Sequence, residues 1–368
     1  MKSKKVAIVH DWLCVNGGAE VVLRYLLEIF PTADVYCMVD TLEDREFLKT
    51  HNVYTSVLQK FKFSRKRYKY FMPFMPYLVE QFNLKGYDLV ISSSHFVAKG
   101  VITHPEQLHI AYIYSPLRYA WDLYFEYLNI GALGSGLNKF FMKLWLHKMR
   151  VWDFASAYRA DYLISDSDFV KKRIKKYWKR EAKTIYPPVD IDASIYEECK
   201  DDYYVTLSRL VEYKRIDVII EAFNEMPDKK LIIIGEGRSR KELEELSSST
   251  NIEFRGFLEK REAMKIVSKA KGFVFMAKED FGIVPIEAQA CGTPVVAFGE
   301  GGAKETVLED ETGVFVKEQN SSSLKDAIDR FEKLNFSPKR CREFSEKFSV
   351  ENFKKSIFEY IKYCEEKI

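Results

Sequence analysis

Strand-length apolar runs, each followed by a turn and usually a helical pattern, constrain this chain more than any other feature. They fall at Val6–Val9, Val35–Val39, Asp88–Ser92, His109–Tyr114 and Tyr162–Ser165. The series restarts near Asp202 with Tyr203–Leu207, Leu231–Ile234, Gly272–Met276 and Pro294–Ala297. Runs without strict alternation suit strands covered on both faces, and helical stretches such as Ala19–Phe30 and Arg215–Phe223 supply the crossovers. The expectation is an α/β chain with two parallel sheets. A length of 368 residues favours two or three domains. The consecutive prolines of Tyr186-Pro187-Pro188-Val189-Asp190 stiffen an extended connection, so the first domain is placed at 1–186 and the second at 187–348. A helical stripe of Phe353, Ile357, Tyr360, Ile361 and Cys364 after Ser349 as N-cap predicts a terminal helix over 349–368, expected to pack back on the first domain.

Composition excludes several classes. A net charge of +3 is too small to imply a nucleic-acid partner, and no nucleic-acid module accompanies the basic runs. The six cysteines are scattered without a C-x-x-C and without a histidine at ligand spacing, so a metal site is not expected and free thiols in a reducing cytosol are. The apolar stretch Val6–Val9 is too short for a signal-peptide core, and even Phe140–Met149 is broken by Lys143, His147 and Lys148, so neither secretion nor a membrane span is expected.

The strongest chemical signal is Glu279-Asp-Phe281-Gly282-Ile283-Val284-Pro-Ile-Glu287. Two carboxylates eight positions apart flank a glycine loop and a helix start, with Pro285 near the first turn. Amides at a helix start are unpaired and carry partial positive charge, so this loop can face a phosphate. Glu279 is then placed for a transferred sugar and Glu287 for a ribose, with Phe281, Gly282, Ile283 and Val284 lining the donor. Read alone, either glutamate is equally consistent with a solvated surface position. Arg209 and Lys214 follow the first strand of the second half, where a fork and a point charge would meet a diphosphate. Gly235, and Gly256 with Phe257 and Leu258, sit at later strand ends where a base can lie against backbone. In the first half, Gly17-Gly18 opens the first helix without the spacing of a dinucleotide fingerprint and reads as an anion-tolerant turn near donor or acceptor.

Together these residues resemble the retaining glycosyltransferases of the GT-B fold, glycosyltransferase family 4. Glu279 and Glu287 match its Glu-x7-Glu motif, Arg209 and Lys214 its diphosphate pair, and Gly301-Gly302-Ala303-x-Glu305-Thr306 its later glycine turn. The segments His10-Asp-Trp-Leu, Tyr87–His95, Arg118–Asp122 and Tyr186–Asp190 look like the bacterial mannosyltransferases of O-antigen and exopolysaccharide assembly. The resemblance implies two Rossmann-like domains facing a central cleft, with the nucleotide-diphosphate sugar in the second and a saccharide acceptor in the first. It implies GDP-mannose as donor, no separate cofactor, and catalysis by Glu279, Arg209 and Lys214. His95, Tyr114 and Arg118 are assigned with Gly17 and Gly18 to the acceptor or to the cleft. Tyr114 stands where such enzymes usually carry a histidine, and a phenol lacks the second nitrogen of an imidazole.

Three further expectations complete the reading. Arginine, lysine and helix amides replace a divalent ion in neutralising phosphate, and the leaving phosphate takes the acceptor proton. A dinucleotide oxidoreductase is disfavoured by the missing fingerprint, leaving a GT-B epimerase and a non-catalytic nucleotide-sugar-binding module as alternatives. The run Lys60–Met72, with six basic residues among its first eleven, no acid and interleaved rings, predicts peripheral contact with an anionic membrane surface, helped by Lys171–Arg180. A lipid-linked acceptor at the inner face of the cytoplasmic membrane follows from that contact.

Overall fold

The apolar runs form strands because each side chain along them finds a hydrophobic layer on alternate faces of a sheet. The computed structural model describes residues 4–129 and 137–367. The chain divides into two units. One holds the chain up to Pro187 together with the chain from Phe353 on, and the other runs from Pro188 to Asn352.

The first unit is built on β1 (Val6–His10), β2 (Asp34–Cys37), β3 (Val53–Thr55), β4 (Leu89–Ser94), β5 (Leu108–Ile113), β6 (Tyr162–Ser165) and β7 (Lys183–Thr184). They form one sheet in the order β3-β2-β1-β4-β5-β6-β7 with parallel pairings throughout. Alternation within β1 shows how the sheet is covered. Val6 and Ile8 join the layer formed with helix Gly18–Ile29 and with Phe353, Ile357 and Ile361 of the last helix, Val350–Glu365. Ala7 and Val9 join the opposite layer, under Met75, Val79, Leu146 and Met149. Full burial of an aliphatic side chain of this size contributes about 1.5–3 kcal/mol, so both layers hold the sheet. Ser349, the expected cap, accepts a hydrogen bond from the Asn352 amide at 3.3 Å.

The second unit repeats the plan with β8 (Asp201–Leu207), β9 (Leu231–Ile234), β10 (Ile252–Gly256), β11 (Ala270–Phe275), β12 (Val295–Phe298) and β13 (Gly313–Val316), in the order β10-β9-β8-β11-β12-β13, again parallel. Tyr204, Ile233, Val274 and Val296 pack beneath helices Ile216–Asn224 and Ser321–Phe331. Val205, Ile232, Phe273 and Phe275 face the other way, toward helix Lys260–Lys269. Both sheets therefore have the doubly wound order, with winding that reverses between β1 and β4 and between β8 and β11. The four strands β3, β7, β10 and β13, which the apolar runs did not reveal, all lie at sheet edges.

Candidate functional site

Loops leaving the carboxyl ends of strands on either side of a winding reversal diverge, and ligands of open parallel sheets bind there. In the second unit these are the loops after β8 and β11, and they carry the residues singled out in the sequence. After β8 the chain makes a single 3-10 turn, Glu212–Lys214, before helix Ile216–Asn224. Lys214 Nζ forms an ion pair with Glu279 Oε1 from the loop after β11, both side chains being half-buried. Tyr213 ties the basic pair together. Its hydroxyl accepts a hydrogen bond from Arg209 Nη2 at 3.1 Å, and Lys214 Nζ lies 5.2 Å from its ring centroid. Arg209 itself is exposed.

Two glycines shape the Glu279 loop. Gly302 N donates to the Glu279 carbonyl at 2.9 Å, and a Cβ on Gly301, whose φ is +73°, would overlap that same oxygen. The loop then runs through Phe281, buried edge-on against Phe348 at 5.7 Å, to Gly282 at the start of helix Ile283–Ala290. That helix start has no side-chain cap and no acidic residue in its first turn, and Pro285 contributes no N–H there. Backbone amides at Ile283 and Val284, which are half-buried, are thus the groups presented at this end. Glu287, one turn further on and half-buried, pairs with Lys260 Nζ at 2.7 Å.

The neighbouring strand ends crowd against the same region. Gly235 N donates to Gly256 O at 2.8 Å, and Gly235 lies so close to the Ser208 carbonyl that a side chain there would overlap it. Phe257 is 70% exposed, while Leu258 is half-buried on the core. The structure joins Lys214 directly to Glu279. Among the described residues, no hydrogen bond or ion pair joins Arg209 to either glutamate. Tyr213 was missed in the sequence; its only signal was its place between the two cations.

In the first unit the corresponding loops follow β1, β4 and β5. Gly17 precedes helix Gly18–Ile29, but its amide donates to Glu20 Oε2 at 2.9 Å, so the turn expected to tolerate an anion already holds a carboxylate. Burial alone would push the Glu20 carboxyl up. The nearby His10 imidazole, its Nε2 3.6 Å away, and the Gly17 amide outweigh that and hold it below the usual carboxylate value. His10 Nδ1 is 2.9 Å from Ser93 Oγ, Ser93 Oγ is 2.8 Å from Tyr114 Oη, and Tyr114 Oη donates to Ala19 O at 3.1 Å. The Tyr114 hydroxyl is thereby part of a scaffold joining β1, β4, β5 and the first helix.

His95 is positioned by a residue whose role no sequence pattern suggested. Asp11 is fully buried and accepts four backbone hydrogen bonds, from His95 at 2.6 Å, Phe96 at 2.8 Å, Val97 at 2.6 Å and Ala98 at 2.7 Å. His95 Nδ1 lies 3.1 Å from Asp11 Oδ2, and the ring stands edge-on to Trp12 at 4.6 Å. Burial lowers the His95 imidazole's affinity for a proton, partly countered by Asp11. Arg118 is half-buried in the turn after β5, where its carbonyl accepts from Leu123 N at 2.8 Å. Among the described residues no cluster of three or more His, Cys, Asp or Glu is placed to hold a metal ion.

Known proteins resemble this chain in fold and, over part of its length, in sequence. Residues 191–348, almost all of the second unit, match the family described as Glycosyl transferases group 1. An uncharacterized glycosyltransferase of Methanocaldococcus jannaschii is 27% identical over 202 residues, covering 52% of this chain and 56% of its own. The GDP-mannose-dependent monoacylated alpha-(1-6)-phosphatidylinositol monomannoside mannosyltransferase of Corynebacterium glutamicum is 36% identical over 135 residues, covering 33% of this chain and 35% of its own. The matches thus span less than two thirds of the length of these curated relatives. Among solved structures, sucrose-phosphate synthase from Thermosynechococcus elongatus superposes with a TM-score of 0.74 at 18% identity, over 99% of this chain and 100% of that one. Anabaena HepE in complex with UDP and glucose does so with a TM-score of 0.70 at 18% identity, over 98% and 99%. The chain therefore has the GT-B fold of two parallel-sheet α/β domains, with a second unit that matches the glycosyl transferases group 1 family.

Proposed function

We propose that the chain is a retaining glycosyltransferase that moves mannose from GDP-mannose to a lipid-linked saccharide in bacterial surface polysaccharide assembly. The observation that carries the reading is the Lys214–Glu279 pair across the β8/β11 reversal, beside a helix start without a carboxylate of its own. A diphosphate there meets Lys214, Arg209 and the first-turn amides, and Glu287 receives the ribose hydroxyls. The anomeric C–O bond breaks with its electron pair leaving on the phosphate oxygen, whose growing charge these groups stabilise. The acceptor hydroxyl attacks from the face the phosphate leaves, passing its proton to that phosphate, which retains configuration. Glu279 holds the transferred sugar, and no divalent ion takes part. The relative that uses GDP-mannose on a phosphatidylinositol mannoside supports both donor and acceptor class. The acceptor is assigned to the carboxyl ends of β1 and β4, near His95.

Calorimetric titration with GDP and UDP, each with and without chelator, tests the donor assignment. Hydrogen bonds to charged groups contribute about 1.5–3 kcal/mol, so Arg209→Ala and Lys214→Ala should each weaken GDP binding roughly 10- to 100-fold. Tighter binding of UDP than GDP would overturn the guanine assignment. Unchanged affinity in both variants would remove the diphosphate site, and affinity lost in chelator but restored by magnesium would refute metal independence. Acceptor-dependent release of nucleoside diphosphate separates transfer from epimerisation and from binding without turnover.

A further inference from the structure

Helix Leu137–Ser156 of the first unit breaks the usual rule that the outward face of a surface helix is polar. Its inner face is ordinary: Leu146 and Met149 enter the hydrophobic layer shared with Met75 and Val79. Its outer face is also apolar. Phe140, Phe141, Leu144 and Val151 are 55%, 58%, 44% and 58% exposed, and Phe154 continues the stripe. Lys143 and Lys148 lie exposed among them. The helix has one acidic residue, Asp153, and it is fully buried, accepting from Lys99 Nζ at 2.7 Å and from the indoles of Trp121 and Trp178 at 2.8 Å each. The outer face therefore combines rings and aliphatic groups with cations and no carboxylate.

We infer that this helix lies in the plane of an anionic lipid surface, its outer face seated at the boundary between headgroups and acyl chains. Twenty residues give an axis of about 30 Å, enough to rest several turns on the bilayer. Charge complementarity selects this occupant. Lys172, Lys175, Lys176 and Lys179 line an open hollow of about 450 Å³ beside helix Asp168–Trp178; Glu181, also in its lining, pairs with Lys175 at 2.7 Å and leaves the four cations in excess. The two helices are tied at one end by Tyr158 Oη, which donates to Trp178 O at 2.9 Å. Cations flanking an apolar stripe match anionic headgroups around acyl chains. A second copy of this chain, laid face to face, would set lysine against lysine. No helix among the described residues is long and apolar enough to cross a membrane, so the contact is along the surface.

Lipid contact through the first unit alone stands apart from the donor site, which GDP titration without vesicles reads by itself. The test is flotation of the full chain with vesicles of phosphatidylcholine, alone and mixed with phosphatidylglycerol. Binding should rise about 10-fold or more with phosphatidylglycerol and weaken as salt is added. Phe141→Ser/Leu144→Ser/Val151→Ser should lower it about 10-fold or more on both vesicles, and Lys143→Ser/Lys148→Ser only on the anionic ones. Far-UV circular dichroism checks that the variants fold; should the apolar variant not fold, the lysine variant and the salt series decide. Binding indifferent to lipid charge, or undiminished in every folded variant, overturns the proposal. So does a dimer, seen by light scattering, that the apolar variant dissolves while vesicle binding stays unchanged.

Discussion

Replacing Gly301 by alanine should disable the proposed donor site without touching a charged group. Gly301 has φ +73°, a region where an L side chain costs roughly 1–2 kcal/mol. Its new Cβ would also overlap the Glu279 carbonyl oxygen. That obstacle is backbone, so no rotamer change relieves it, and the loop bearing Glu279 must retreat by about 1 Å to reach ordinary van der Waals separation. The hydrogen bond from Gly302 N to the same oxygen weakens with it. A misplacement of about 1 Å at a reacting centre can cost on the order of 100-fold in rate. Gly86 provides the matched control, since it has φ +89° and a Cβ added there would meet no atom within 4 Å. Gly86→Ala should lose about 1–2 kcal/mol of stability from backbone strain alone and keep its turnover. The assay is nucleoside diphosphate release from GDP-mannose under saturating donor, alongside thermal melts of both variants. Wild-type turnover in Gly301→Ala, or equal loss in Gly86→Ala, would refute the reasoning.

Two predictions concern stability in the first unit. Burial pushes the His109 imidazole down to about 4, with its Nε2 2.7 Å from Ser92 Oγ. As pH falls below about 6.5 the unfolded chain takes up a proton that the native site refuses, so this contribution declines by about 3 kcal/mol on approaching pH 4. Denaturant titrations at pH 7 and pH 4.5 should differ by less in His109→Gln, and an identical difference in both proteins would sink the assignment. Asp153→Ala strands the buried Lys99 ammonium and two indole N–H groups, at a cost of about 3–5 kcal/mol. The double variant Lys99→Met/Asp153→Leu removes the stranded ammonium but not the stranded indoles, so it should melt between the single variant and the wild type; a double variant no more stable than the single one would contradict the ion-pair account.

The central strands were legible because burial on both faces leaves an uninterrupted apolar signature, as in Leu231–Ile234 and Val295–Phe298. The edges were not. Lys183–Thr184 is too short and too polar, and Ile252–Gly256, of which only the end at Gly256 was placed, mixes the polar Glu253 and Arg255 into its run. At the site, Lys214 and Glu279 were found from position after their strands, and the structure pairs them. Asp11 escaped because its role is to accept amides from residues more than eighty positions away, a relation that no local pattern carries. The partners of the Tyr114 hydroxyl, Ser93 and Ala19, were likewise not legible, since only the register of β4 against β5 brings Ser93 near it.

A chain that uses one sheet order twice places a strand-end crevice in each half, and topology alone does not sort their occupants. The Glu20 carboxylate resolves this by sign. Held below the usual carboxylate value, it remains ionised at neutral pH at a helix end where a phosphate would otherwise be welcomed. Under the proposed function a phosphate-bearing donor would be repelled from the first crevice and drawn to the second, where Lys214 stands and the helix start carries no acid. An uncharged hydroxyl compound meets no such penalty beside β1. If donor and acceptor divide between the two halves as proposed, the Glu20 charge favours that division, and the partition of phosphate-bearing ligands between them should weaken as ionic strength rises.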